Sequence, residues 1–243
     1  MRVIIAGVLL AACSALAAAE SASIYESPAS LASENPIDKA VFGRLRELQI
    51  QPARLCSDSV FVRRAYLDII GTLPKGTEAQ QFLLDSNPNK RRVLIDRLLE
   101  RDEFADYWAM KWSDLLRVKA EFPINLWPNA AQSYHRWIYD SVKTNKPYDQ
   151  FVREMLTSSG SNFRMPPVNF YRAMQNRDPQ GIAKTVALTF MGVRADKWPS
   201  NQLAGMSAFF SEISYKGTAE WKEEIVIRDW SKTTNSLVAL AAF

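Results

Sequence analysis

Apolar residues along most of the chain recur three or four positions apart, the spacing that gathers them on one face of a helix. Asn35-Pro36 opens the first such stretch, Asn as cap and Pro in the first turn, followed by Ile37, Val41, Phe42, Leu45 and Leu48. A second helix over about residues 57–70 is expected to turn Val60, Phe61, Leu67 and Ile70 inward, and it stops at Gly71. Gly71-Thr72-Leu73-Pro74-Lys75-Gly76 breaks the pattern, and Thr77 then caps a short helix with Phe82 and Leu83. Asn87-Pro88 separates that helix from a charged one over 90–99, whose apolar stripe is Val93, Leu94, Leu98 and Leu99.

Asp102 suits the cap of the next helix, where Phe104, Trp108, Trp112 and Leu115 share one face. An aromatic face of this kind reads as core in preference to a cofactor wall. Beyond Pro123, Trp127 and Pro128 come two helices, one with Tyr134, Trp137, Ile138 and Val142, the other with Tyr148, Phe151, Val152 and Met155. Asn145-Lys146-Pro147 divides them, and residues 158–167 form the longest evident loop, where function is expected to sit. Asp178-Pro179 starts a helix that runs to Gly192, and Ser200 caps a last one with Leu203, Met206, Phe209, Phe210 and Ile213. Only Ile225-Val226-Ile227 reads as strand. The pattern predicts an all-α fold: a multi-helix globular domain over 35–213, then a C-terminal extension over 214–243 with a short β-like segment.

The first residues follow other rules. Met1-Arg2 and the apolar run from Val3 to Ala12 have the build of a secretory leader. Ala17-Ala18-Ala19 before Glu20 offers a signal-peptidase exit, giving a signal peptide over 1–19, while Leu10-Ala11-Ala12-Cys13 has the form of a lipoprotein box. The first exit is favoured because only twelve residues precede Cys13. The second would acylate Cys13, and only then is membrane attachment expected. Residues 20–34, rich in Ser, Ala and Glu, read as a flexible linker, and the expected location is periplasmic or at the cell surface.

Composition narrows the chemistry. The 243 residues include one His and two Cys, too few for a four-ligand Cys/His zinc site. Lys and Arg number 30 against 26 Asp and Glu, a net +4 scattered without a basic cluster, so nucleic acid is not an expected partner. After the leader no run approaches the roughly 20 apolar residues of a membrane span. Cys56 would stand alone after export, and it reads as a small packed residue without the histidine or positive setting of a reactive thiol.

Several ordered motifs resemble a known family. Pro36-Ile37-Asp38, the run Arg63-Arg64-Ala65-Tyr66-Leu67-Asp68-Ile69-Ile70-Gly71-Thr72-Leu73-Pro74, and Trp108-x-x-x-Trp112-x-Asp114 are similar to the planctomycete-type cytochrome-associated domain, domain of unknown function 1549. So are His135-Arg136-Trp137-Ile138, Asn145-Lys146-Pro147-Tyr148-Asp149, Asn169-Phe170-Tyr171-Arg172 and Gly192-Val193-Arg194. The resemblance covers about residues 35–213 and implies an exported protein of planctomycetes, verrucomicrobia or relatives, without a settled activity. Relatives usually continue downstream, so the end at Phe243 reads either as a truncation, with a missing downstream domain as one partner, or as a tail that packs back on the body. Many members of that family carry Cys-x-x-Cys-His after the Gly-Val-Arg. Here the stretch between Arg194 and Ala208 holds neither Cys nor His, so covalent haem is not expected and no cofactor is assigned.

His135 is the one imidazole, and beside Trp137 it reads as structural before it reads as a base. Carboxylate pairs such as Asp102/Asp106 and Glu223/Glu224 suit solvated faces, and no Gly-x-Ser-x-Gly elbow or phosphate-binding glycine loop occurs. Trp127, Trp198, Trp221 and Trp230 lie off the clear helix faces and read as ordinary packing before they read as surfaces that stack on sugar rings or on a partner protein. The candidate binding residues are His135, Trp127, Trp198, Arg164 and Tyr171, with Cys13 a candidate for lipidation. The expected function is a non-catalytic scaffold or binding module meeting other cell-surface proteins, with no metal. The alternative is a fragment of an extracytoplasmic enzyme system acting on polysaccharides, its site near residues 158–172 and His135.

Overall fold

The computed structural model describes residues 23–27, 35–121 and 124–232. The segment read as a signal peptide, Cys13, Pro123 and the apolar end after 236 lie outside the described residues. Two compact units divide the chain, one running through Asp68 and resuming over Thr72–Arg97, the other made of Ile69–Gly71 and everything from Leu98 onward.

The first unit carries α1 (Pro36–Glu47), α2 (Asp58–Ile70), α3 (Gly76–Leu84) and most of α4 (Lys90–Leu99). Asn35 caps α1 as expected, its side-chain oxygen accepting from the Asp38 N–H at 2.9 Å. The expected inward stripe of α1 is not buried, however, and Ile37 is 73% exposed. On α2 Ile70 is buried as expected, but its buried companions are Val62, Ala65 and Tyr66, while Val60, Phe61 and Leu67 are half-buried. Ion pairs show why. Lys90 Nζ lies 2.7 Å from Asp58 Oδ2, and Arg91 donates to Asp58 Oδ1 at 2.9 Å and to the Cys56 carbonyl at 2.7 Å. The Arg91 guanidinium then lies 4.8 Å over the Phe61 ring, so Phe61 is covered by a cation and only half-buried. α3 starts before Thr77, with Lys75 N–H donating to the Glu78 carboxylate at 2.8 Å. Within the stretch read as a linker, Glu26 forms an antiparallel bridge to Cys56.

The second unit holds α5 (Asp102–Leu115), α6 (Pro128–Lys143), α7 (Tyr148–Thr157), α8 (Asn169–Arg172), α9 (Pro179–Met191) and α10 (Ser200–Ala208). These bring the α-helices among the described residues to ten. On α5 the buried positions are Ala105 and Ala109, while Trp108 and Leu115 are 37% and 59% exposed. The aromatic stripe expected to be core is therefore only partly so: Trp112 packs against the core and Phe104 is half-buried, while Trp108 and Leu115 turn outward. Two alanines let α6 approach α5 closely, and the large rings cannot occupy that narrow contact. α6 buries Ala130, Tyr134, Ile138 and Ser141 along one face, and Met155 of α7 and Ile182 of α9 join Tyr134 and Ile138 in the core.

α9 is bounded as the sequence predicts. Asp178 Oδ1 accepts from the Gly181 N–H at 2.7 Å, and Gly192 takes φ +65° at the other end. α10 stops at Ala208, and Ile213, expected to be helical, opens β2 (Ile213–Gly217). With β1 (Gly160–Ser161) and β3 (Glu224–Arg228) it forms an antiparallel sheet in the order β1-β3-β2. Val226 sits at the centre, paired with Gly160 and Tyr215 and 1% exposed. The strand expected around Ile225–Ile227 thus forms, in a mostly helical domain, with two partners the pattern did not mark.

Candidate functional site

Turned away from the α5–α6 contact, the α5 rings line a cleft. Phe104, Trp108 and Trp112 of α5 face Ser141 and Val142 of α6, Asn145 and Lys146 of the connection, and Tyr148 and Phe151 of α7, around about 190 Å³. Asn145 turns the chain there with φ +49°, a conformation Asn tolerates, and Lys146 N–H closes the turn on the Ser141 carbonyl at 2.9 Å.

The rings are held at their polar ends. Trp108 Nε1–H donates to the Ile69 carbonyl at 3.1 Å, and the Tyr148 hydroxyl to the Phe190 carbonyl at 3.0 Å. Partial burial raises the Tyr148 pKa above that of a free phenol. Trp112 meets Phe151 edge-on at 5.2 Å, and Phe151 stacks on Trp137 at 4.9 Å. Lys146 is tied down as well: its ammonium lies 2.5 Å from Glu154 and 4.9 Å over the Trp137 ring. Desolvation pushes the Glu154 carboxyl up, but hydrogen bonds from Lys146, Gln150 and Trp137 outweigh it and hold the pKa below its ordinary value.

The result is a largely aromatic cleft with a polar side at Ser141 and Asn145, whose one cation is already neutralised. Its volume falls short of the roughly 300–1,000 Å³ of small-molecule sites and suits one apolar side chain. Among the described residues no cluster of His, Cys, Asp and Glu has the arrangement of a metal site.

The loop over 158–167, expected to carry function, clamps the β2–β3 hairpin. Asn162 is fully buried; its side-chain amide reaches the Lys222 carbonyl at 3.4 Å, and its own carbonyl accepts from Asn169 Nδ2 at 2.7 Å. Glu224 accepts from Arg177 Nη1 at 3.0 Å. Arg172 Nε lies 2.7 Å from the same oxygen but out of hydrogen-bonding line, so that contact is Coulombic. Arg177 also covers Tyr215 at 4.7 Å, and burial pushes the Tyr215 pKa up to about 12. At the hairpin tip Trp221 meets Trp127 edge to face, 6.5 Å between ring centres.

The family model described as PSCyt2, Protein of unknown function (DUF1549), matches residues 36–215. The chain belongs to this family. No curated protein and no solved structure matches it. The chemistry of this DUF1549 member is therefore read from its own side chains.

None of the five residues singled out in the sequence lines the aromatic cleft. His135 is exposed on α6 beside Gln132, Arg136 and Tyr139 in an open depression. Arg164 is exposed on the 158–167 loop, and Trp198 is half-buried against the core. Tyr171 is fully buried and donates to the Leu156 carbonyl at 2.7 Å, which makes it a strut of the core; burial drives its pKa far up. Trp127 is paired with Trp221 in this DUF1549 member, as described. The cleft residues Trp108, Trp112, Tyr148 and Phe151 were visible only as helix-spaced aromatics. Phe151 is core as its spacing predicts, and the signal that turns Trp108 away from the core is the parallel pair Ala105/Ala109 one position along, which marks the face of α5 that packs.

Proposed function

We propose that this DUF1549 member is an exported, non-catalytic binding module without haem attachment, and that its aromatic cleft receives an apolar side chain of another cell-surface protein. The observation that carries the reading is the cleft itself: a socket of about 190 Å³ in which Trp108 and Tyr148 are fixed by hydrogen bonds and Trp112 and Phe151 by ring contact. Pre-fixed aromatic sockets of side-chain size are where protein–protein binding energy concentrates. Export is supported by the leader-like pattern from Met1 to Ala19. Loss of haem attachment is supported by the segment after Arg194, which holds no Cys or His. There Asp196 pairs with Lys184 at 2.9 Å and Trp198 packs on the core.

Two measurements test this reading. A photo-crosslinking residue in place of Trp108 in the native envelope is expected to yield one discrete protein adduct, absent when the same residue replaces His135. Equal labelling from both positions, or none from 108, contradicts it. Protein purified from its host is expected to show no Soret band that survives denaturation, and such a band would contradict the loss of haem attachment.

A further inference from the structure

The Trp127–Trp221 pair is a second site with different chemistry. Both indoles are exposed, 41% and 68%, and they meet at an interplanar angle of 81°, forming an open corner of two ring faces. Left-handed backbone at three non-glycine positions shapes the corner: Asn125 at φ +55° and Trp127 at +67° on one side, Lys222 at +62° on the other. Such conformations persist only where surrounding structure holds them, and they concentrate at ligand sites. On the hairpin side the hold is visible, since the Lys222 carbonyl is taken by the buried Asn162 side chain at 3.4 Å and Thr218 bonds Glu223 across the turn at 2.8 Å.

The surroundings distinguish the ligand class. Exposed Glu220 and Lys222 flank Trp221, and the Lys222 ammonium lies over one side of the Trp221 ring, 5.2 Å from its centre. Two rings between charges supply far less than the roughly 1,200–2,000 Å² a stable protein interface buries, and interface centres are depleted of charge. A sugar ring needs this combination. Its axial C–H face is apolar and of ring size, its equatorial hydroxyls want donors and acceptors at the rim, and an indole face attracts the slightly positive C–H hydrogens. We propose that the Trp127–Trp221 corner binds a neutral pyranose unit of a polysaccharide, with one indole under the flat face and Lys222 donating to a hydroxyl.

Trp230 provides the internal control: it is 67% exposed and, like Trp221, has a cation over its ring, the Arg228 guanidinium at 4.1 Å, but among the described residues no second ring stands against it to form a corner. The test is titration of the intact chain with cellohexaose, followed by tryptophan fluorescence and by the indole N–H signals. A saturable shift of the Trp127 and Trp221 signals is expected. Trp221→Ala, which leaves the buried core untouched, is expected to weaken binding roughly tenfold, and Trp230→Ala to leave it unchanged. Absence of a saturable shift up to the solubility limit of the sugar, binding that survives Trp221→Ala, or an equal loss in Trp230→Ala overturns the proposal.

Discussion

Asn162 and Glu224 exchange two hydrogen bonds between the 158–167 loop and strand β3: Asn162 N–H donates to the Glu224 carbonyl at 3.1 Å, and Glu224 N–H donates to Asn162 Oδ1 at 2.9 Å. A buried amide thus does for β3 what another strand residue would do, and the loop becomes the seat of the hairpin. Asn162→Ala leaves the Glu224 N–H facing an apolar methyl, and a buried unpaired donor costs about 1–3 kcal/mol. The expected outcome is a lower urea midpoint with an unchanged slope. A variant as stable as the parent would show that the hairpin does not depend on this amide.

Glu224 itself faces two cations, Arg172 and Arg177. Glu224→Gln keeps the shape and removes the charge, leaving two partly buried guanidinium groups near one another. Charge-assisted hydrogen bonds of this type contribute about 1.5–3 kcal/mol. Chemical denaturation is expected to show a loss of that size, and Arg177→Met together with Glu224→Gln a smaller loss than the sum of the separate ones.

Acid should loosen the wall of the cleft through Glu154. Its pKa is depressed in the folded chain, so its stabilising contribution is complete above the ordinary carboxylate value and disappears as pH falls through the lower, folded value. Unfolding midpoints measured from neutral to acidic pH are expected to fall less steeply for Glu154→Gln than for the parent in that window. Identical slopes would mean that the Lys146–Glu154 pair does not distinguish the folded from the unfolded chain.

Two glycines give opposite expectations. Gly71 has φ +71°, and a methyl there would lie 2.3 Å from Tyr107 Cδ2. Gly71→Ala is expected to destabilise by at least about 1–3 kcal/mol from the backbone alone. Gly43 lies within α1 with nothing within 4 Å of an added methyl. There alanine should raise stability by about 0.4–1 kcal/mol, because it restricts the unfolded chain. Thermal melts of the two variants check both signs.

What the sequence shows plainly is what local chemistry decides. The ends of α9 follow from Asp178 and Gly192, whose cap and left-handed turn involve only neighbours. The rotation of a helix about its axis is not local. Trp108 and Ala109 are adjacent, and either could head an inward stripe; the closeness of α6 chose alanine, and so created the cleft. β2 was hidden for a similar reason. Ile213 extends the apolar spacing of α10, and only pairing with Arg228 of β3 reveals it as strand. The site could not be read because it exists only once α5, α6 and α7 have taken those rotations. Trp221 is the reverse case: its exposure was foreseeable from its place between charges, its companion Trp127 was not.

The claim that the cleft is a side-chain socket is tested most directly by nuclear magnetic resonance with N-acetyl-phenylalaninamide as the probe. The prediction is a saturable shift of the Trp108 and Trp112 indole signals, with Trp127 and Trp221 unmoved, and affinity reduced several-fold in Trp108→Ala. Unmoved Trp108 and Trp112 signals, or shifts spread equally over all the tryptophans, would contradict it.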